Sequence, residues 1–223
     1  MHTPPTTQPA RLMLSALLLS AALAGATLAP PAHAAADAAA FSAATGEFIK
    51  AVDGNDSAVE AAAQQLGKLS QAEPQDPVLR AYAGAATAMK ARTTLLPWKK
   101  MGAAEDGLAL IDKALAQLTP AHDAPLYRGT PASLETRFVA AGTFLALPSM
   151  FNRHERGAKL LDEVLKSPLF DAAPVGFKAS VWLRAGLEAQ KSQRSDEARQ
   201  WLQKAAASGA PQAAAAQAKL KAL

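Results

Sequence analysis

The chain has 223 residues, of which 50% are hydrophobic, and it carries a formal net charge of +4 with no cysteine. The lack of cysteine excludes disulfide bonds and a thiol for lipid attachment, so packing alone must hold the fold together. About a quarter of the residues are alanine, which favours helices and close helix–helix contacts. No alternating strand pattern appears, so the composition predicts one all-α domain.

The N-terminal segment has the pattern of a secretory signal peptide. Arg11 provides a positive region, residues 12–28 form an apolar region, and small residues in an A-x-A pattern end at Ala34. The apolar run is short and alanine-rich for a membrane span. We therefore expect residues 1–34 to be a signal peptide cleaved after Ala34. Residues 35–223 would then form a periplasmic or secreted domain without stable membrane insertion, and an uncleaved N-terminal anchor is the alternative.

Downstream of the signal peptide, segments with helical apolar periodicity recur in pairs that are separated by polar turns. Pro77, Pro131 and Pro174 are expected in the first turn of the first helix of three pairs. The last segment, "PQAAAAQAKLKAL", is expected to form one more helix that covers the final pair. The four pairs, in chain order, are "FSAATGEFIKAV" with "AAAQQLGKLSQAEP", "YAGAATAM" with "GLALIDKAL", "FVAAGTFL" with "GAKLLDEVLKSP", and "VWLRAGLEAQ" with "DEARQWLQKA".

The last pair carries the most specific pattern in the chain. Its residues are Trp182-x-x-Ala185-Gly186-x-x-Ala189, then Ala198-x-x-x-Leu202, then Pro211. This arrangement resembles the tetratricopeptide repeat, whose pattern is W-x-x-L-G-x-x-Y, then A-x-x-x-F, then P. Residues 179–212 form the specific match, and the earlier pairs over residues 37–178 follow the pattern more loosely. The resemblance implies a tetratricopeptide-like α-solenoid of about four helical hairpins plus a C-terminal capping helix.

Small residues recur where the two helices of a pair are expected to cross. Helices approach closely only where side chains are small, so Gly186 should lie near Ala198 in the last pair. The same pattern predicts two further crossings upstream. These are Ala86 with Gly107 and Gly142 with Gly157.

No catalytic motif is evident in the sequence. His154 in "HERG" lacks the second histidine of a zinc-binding helix, and there is no nucleophile elbow, phosphate-binding glycine loop or calcium loop. The sequence therefore predicts a non-catalytic protein with no metal and no cofactor.

The segment "TTLLPWKKM" is an insertion between the two helices of the second pair. Trp98, Lys99 and Lys100 could contact an apolar group and the acidic groups of a partner together, and tryptophan is enriched among binding hot spots. The preferred interpretation is structural, with Leu95, Leu96 and Trp98 filling the space that the longer turn opens. The segment is still the best local candidate for a binding site.

The inner face of the predicted solenoid is the second candidate. The resemblance implies that first helices line a concave surface that receives a peptide or helix from a partner. Arginine binds carboxylates through two parallel hydrogen bonds, so an acidic peptide segment would suit such a surface. The polar first-helix positions are Arg80, Lys90, Arg137, Arg184 and Glu188.

Export, the repeat pattern and the missing catalytic motifs favour one function. The protein is expected to be a scaffold or adaptor that binds a peptide or helical segment of another envelope protein. Export argues against a nucleic-acid partner, although residues 80–100 contain five basic residues and no acidic residue. The alternative is a helical small-molecule-binding protein or accessory enzyme subunit, because the longer turns could close a pocket between hairpins.

Overall fold

The computed structural model describes residues 1, 2 and 32–223. The positive and apolar regions of the predicted signal peptide lie outside these residues. In the described part of the chain, every regular element is helical, and nine α-helices follow one another. They are α1 (Ala32–Val52), α2 (Ser57–Ala72), α3 (Pro77–Thr93), α4 (Pro97–Ala116), α5 (Ala132–Ala146), α6 (His154–Lys166), α7 (Val175–Lys191), α8 (Ser195–Ala206) and α9 (Ala213–Leu220). Short 3₁₀ helices lie in the connections at Pro120–Asp123, Tyr127–Gly129 and Ser149–Phe151.

The helix starts follow from local chemistry. Pro77 and Pro97 begin α3 and α4, where the missing proline N–H costs no intrahelical hydrogen bond. The Asp76 side chain caps α3 by accepting hydrogen bonds from the backbone N–H groups of Val78 at 2.8 Å and Leu79 at 3.1 Å. The predicted position of Pro77 is confirmed, whereas Pro131 and Pro174 lie one residue before the first turns of α5 and α7.

Consecutive helices form the main packing units. Helices α1 and α2, α3 and α4, α5 and α6, and α7 and α8 pack against each other, and α9 packs on α8. Further contacts of α3 with α2 and with α5 join neighbouring pairs. The largest group of buried apolar side chains extends from α3 to α7 and includes Ile111, Phe144 and Val181. The predicted all-α fold is confirmed, with helices that pack mostly pairwise in sequence.

The crossing of α3 and α4 is formed by two glycines. A Cβ atom at Gly107 would lie 2.5 Å from the carbonyl oxygen of Gly84 and 2.6 Å from the backbone nitrogen of Ala88. The prediction that Ala86 forms this crossing is wrong. Ala86 instead packs with Ala62 of α2, because it lies on another face of α3. Only glycine lets the two backbones touch, so the crossing occurs at Gly84.

The crossing of α5 and α6 also differs from the prediction. A Cβ atom at Gly157 would lie 3.0 Å from Cβ of Phe144 and 3.0 Å from Cγ of Leu145. Gly142 does not take part. It faces α7, and the first side-chain atom that its Cβ would meet is Nη2 of Arg184 at 3.7 Å. Small residues were assigned to this crossing by spacing alone, which does not show on which face of the helix they lie.

The α7–α8 crossing agrees with the sequence. A Cβ atom at Gly186 would lie 3.3 Å from the carbonyl oxygen of Ala198 and 2.6 Å from Cγ of Leu202. Ala185 and Ala189 are also buried in this part of α7. Gly186, Ala198 and Leu202, which belong to the repeat-like pattern, therefore meet at this crossing.

Gly186→Leu is expected to destabilise the protein by about 1–3 kcal/mol, because the added side chain must displace Leu202. Chemical denaturation of the parent and the variant measures this difference. Gly176→Leu is the matched control in the same helix, since nothing lies within 4 Å of the position of its Cβ. The control should match or slightly exceed the parent, because glycine lowers helix stability. A Gly186→Leu variant as stable as the parent would contradict the assigned crossing.

Candidate functional site

The turn between α3 and α4 carries a cluster of exposed apolar side chains. Leu95 is 91% exposed and Trp98 68% exposed, and Leu96 is exposed as well. The interpretation that these side chains fill a space inside the fold is therefore wrong. The inserted residues form the first turns of α4, which begins at Pro97, and leave a connection of only residues 94–96. We define the turn patch as Leu95, Leu96, Trp98, Lys99 and Lys100.

A cleft beside the turn patch joins two of the predicted groups of residues. Lys90, near the end of α3, and Lys99, in α4, both line this cleft of about 350 Å³. The Lys90 ammonium lies 3.2 Å from a carboxylate oxygen of Glu60 on α2, in an exposed ion pair. The remaining lining residues are Thr93, Thr94 and Ala103. The structure thus brings Lys90 to the same surface as the turn patch.

Arg92 fixes the neighbouring turn in place. Its Nη2 donates to the carbonyl oxygen of Ala51 at 2.7 Å and to a carboxylate oxygen of Asp56 at 3.1 Å. The connection between α1 and α2 is thereby held against the end of α3. The turn patch therefore follows directly after an end of α3 that is hydrogen-bonded to α1 and to the α1–α2 connection.

Arg80, predicted for the inner face, has a structural role. Its side chain is buried, and its Nη2 donates to the carbonyl oxygen of Pro74 at 2.5 Å. This hydrogen bond holds the connection between α2 and α3. The guanidinium of Arg80 is therefore buried inside the fold and does not lie on an open surface.

Arg184 and Glu188 lie where α7 meets the preceding pair of helices. Glu188 is buried, and its Oε1 lies 2.8 Å from Nε2 of His154 at the start of α6. Burial lowers the pKa of the Arg184 guanidinium, and the charge of Glu188 offsets part of that effect. Sequence reasoning did not connect His154 with Glu188, because they are on different helices and no local motif links them.

Arg137 lines a second cleft, which we name the α4–α6 cleft. Its volume is about 350 Å³. Arg137 donates through Nη1 to the carbonyl oxygen of Ser133 at 3.2 Å, and its Nε lies 3.7 Å from a carboxylate oxygen of Glu163. The cleft is lined by Leu115, Leu118, Arg137, Arg156, Lys159, Leu160 and Glu163. Arg156 and Lys159 are on α6, the second helix of its pair, whereas the repeat resemblance assigns the binding surface to first helices.

A polar cluster around the buried Glu135 links α1, α3, α5 and the connection before α5. Glu135 is 2% exposed, and its Oε1 accepts hydrogen bonds from the Tyr82 hydroxyl at 2.9 Å and from the Arg128 guanidinium. Arg128 also donates to the Thr45 hydroxyl at 3.1 Å and lies over the Phe41 ring. We name these residues the Glu135 latch, because they connect one loop and three helices. The Arg128 side chain is 47% exposed.

Burial determines the ionisation of Glu135 and Tyr82 in the Glu135 latch. Desolvation raises the pKa of the Glu135 carboxyl, while the charge of Arg128 and the hydrogen bond from Tyr82 offset part of this. Desolvation and the Glu135 charge raise the pKa of the Tyr82 hydroxyl well above its ordinary value, so it stays protonated and donates. The second oxygen of Glu135 is buried without a hydrogen-bond partner.

Two kinds of functional feature are not found among the described residues. In the part of the chain that the structure describes, no group of three or more histidine and acidic side chains could hold a metal ion. No helix in that part is both long and apolar enough to cross a membrane.

The fold defines the class of the protein as all-α, with helices that pack mostly in consecutive pairs. Comparison with known proteins finds no matching family model, no matching curated protein and no matching solved structure. The functional conclusion therefore depends on the residues and geometry of this chain.

Proposed function

We propose that the protein is an exported, non-catalytic scaffold that binds a peptide or helical segment of another envelope protein. Its architecture is a tetratricopeptide-like α-solenoid in which α1–α2, α3–α4, α5–α6 and α7–α8 are the repeats and α9 is the capping helix. The pairwise packing of consecutive helices and the glycine-mediated crossings support this architecture.

The turn patch is the observation that carries the proposal. Large apolar side chains that are exposed together mark interaction sites, and a tryptophan among them is a typical hot spot. Lys99 and Lys100 follow Trp98 directly, and Lys90 lies in the adjoining cleft. The partner segment is accordingly one in which an apolar side chain stands beside carboxylates.

Lysine clusters and an exposed tryptophan act at different stages of such binding. The lysines attract an acidic segment over a distance and orient it, which mainly raises the association rate. Trp98 buries its ring against the apolar side chain of the partner, which mainly slows dissociation. The binding should therefore weaken with added salt, but a salt-resistant apolar part should remain.

Removing the tryptophan tests the proposal. Trp98→Ala is expected to weaken partner binding by about 2 kcal/mol, or roughly 30-fold, as for other hot-spot residues. Crosslinking with mass spectrometry in the native envelope identifies the partner, and titration of the purified pair then measures the affinity. Met150→Ala is the matched control, because Met150 is also an exposed large apolar residue but lies in the connection between α5 and α6.

Two outcomes would contradict the scaffold function. One is a partner that binds the Trp98→Ala variant as tightly as the parent. The other is a turnover activity that copurifies with the protein and is abolished by a single substitution.

A further inference from the structure

The lining of the α4–α6 cleft combines three leucines with three basic residues and one acidic residue. The leucines are Leu115 in the last turn of α4, Leu118 just after that helix, and the largely buried Leu160 of α6. Arg156 and Lys159 lie three residues apart on α6, so they occupy the same face of that helix. Arg137 of α5 is the third basic residue, and Glu163 of α6 is the acidic one. A lining of leucines with an excess of basic residues suits a ligand that is itself part apolar and part anionic.

The charges around the cleft are only partly compensated. Arg156 binds Asp112 at 2.6 Å, and Arg137 lies near Glu163 at 3.7 Å. Lys159 is exposed and forms no ion pair within the described part of the chain. The surplus of positive charge favours a monoanion, because a phosphate dianion would need more uncompensated cations.

The size of the cleft restricts the apolar part of the ligand. A volume of about 350 Å³ is near the lower end of the range for small-molecule sites. An aliphatic chain of fewer than about ten carbons fits this volume, whereas a long acyl chain would extend into water. An arginine fork at the same site matches the two oxygens of a carboxylate.

We propose that the α4–α6 cleft binds a short aliphatic carboxylate. The carboxylate lies between Lys159 and the guanidinium groups of Arg137 and Arg156, and the chain lies against Leu115, Leu118 and Leu160. This site is formed by residues other than those of the turn patch. The proposal therefore stands whether or not the protein is a scaffold.

Titration calorimetry with sodium octanoate as the probe tests the site on the purified full-length mature protein. Octanoate is expected to bind in the millimolar range or more tightly, because it combines a carboxylate with a short chain. Octanol lacks the charge and inorganic phosphate lacks the chain, so both are expected to bind much more weakly. Lys159→Glu is expected to weaken octanoate binding by about tenfold or more, since it reverses the uncompensated charge.

Lys166→Glu is the matched control for the charge reversal. Lys166 lies on the same helix but belongs to an exposed pair with Asp162 and does not line the cleft. Thermal melts of both variants should match the parent, because both positions are exposed. The proposal is overturned if octanoate does not bind, if octanol binds as well as octanoate, or if the two variants lose affinity equally.

Discussion

Gly107→Ala is expected to destabilise the protein by about 3 kcal/mol, although it adds only one methyl group. The new Cβ would lie within 2.7 Å of the Gly84 carbonyl oxygen and of the backbone nitrogen and Cβ of Ala88. These atoms belong to the backbone or to a side chain that has no rotamers, so α3 and α4 must move apart. Urea denaturation gives the change in the free energy of unfolding.

Gly102→Ala is the control for this substitution. Gly102 lies in the same helix, but nothing is within 4 Å of the position of its Cβ. Alanine is a better helix former than glycine by about 1 kcal/mol, so the control should be neutral or stabilising. If the free energy of unfolding falls for Gly107→Ala but rises for Gly102→Ala, the loss at Gly107 is due to close packing and not to helix propensity. If both variants are stabilised, the backbone contact between α3 and α4 is disproved.

Arg128→Ala is expected to destabilise the protein by about 1–3 kcal/mol at neutral pH, because it leaves the buried Glu135 carboxylate without its cationic partner. The substitution also removes the hydrogen bond to Thr45 and the contact with the Phe41 ring. Arg128 has a left-handed backbone with φ of 53°. Alanine is also strained at a positive φ. The difference in the free energy of unfolding between parent and variant therefore reports the loss of the arginine side chain alone. Lys166→Ala, in an exposed ion pair, should change stability by less than about 0.5 kcal/mol.

The effect of Arg128→Ala is expected to depend on pH. Burial raises the pKa of Glu135 in the folded protein, and the loss of Arg128 raises it further. An acid with a raised folded pKa favours the folded state most below its unfolded pKa, which is about 4.3 for glutamate. That contribution is lost as the pH rises through the folded pKa. The destabilisation should therefore be small near pH 4 and grow toward neutral pH.

Glu135→Gln in the Arg128→Ala background identifies the titrating group. Glutamine does not ionise, so the pH-dependent part of the destabilisation should disappear in the double variant. Denaturation at several pH values measures all variants against the parent. If the Arg128→Ala effect were constant over this range, Glu135 would not be the group that Arg128 neutralises.

Helix α3 divides into a structural half and a candidate functional end. Asp76 caps its start, and Arg80 and Tyr82 take part in buried hydrogen bonds. Lys90 lies in its last turns and lines a cleft that opens beside the turn patch. Substitutions in the first half should therefore lower stability, whereas Lys90 can be changed to test binding.

The sequence alone determined the helical class of this protein and the start of α3 at Pro77. Proline at Pro77 and Pro97 and the apolar periodicity act over a few residues, so they can be recognised without knowing the fold. The Gly186–Ala198 crossing could also be predicted, because the last pair has the regular spacing of the repeat that it resembles.

Only the tertiary structure decided which faces of the helices meet and which polar groups are buried. Gly84 rather than Ala86 meets Gly107, because residues two positions apart lie on nearly opposite faces of a helix, and only the packing decides which face meets α4. The exposure of Trp98 depends on the inserted residues becoming part of α4. Tyr82 and Glu135 are separated by 53 residues, so their hydrogen bond has no local sequence signal. Such contacts arise from the packing of distant helices, which no short pattern in the sequence encodes.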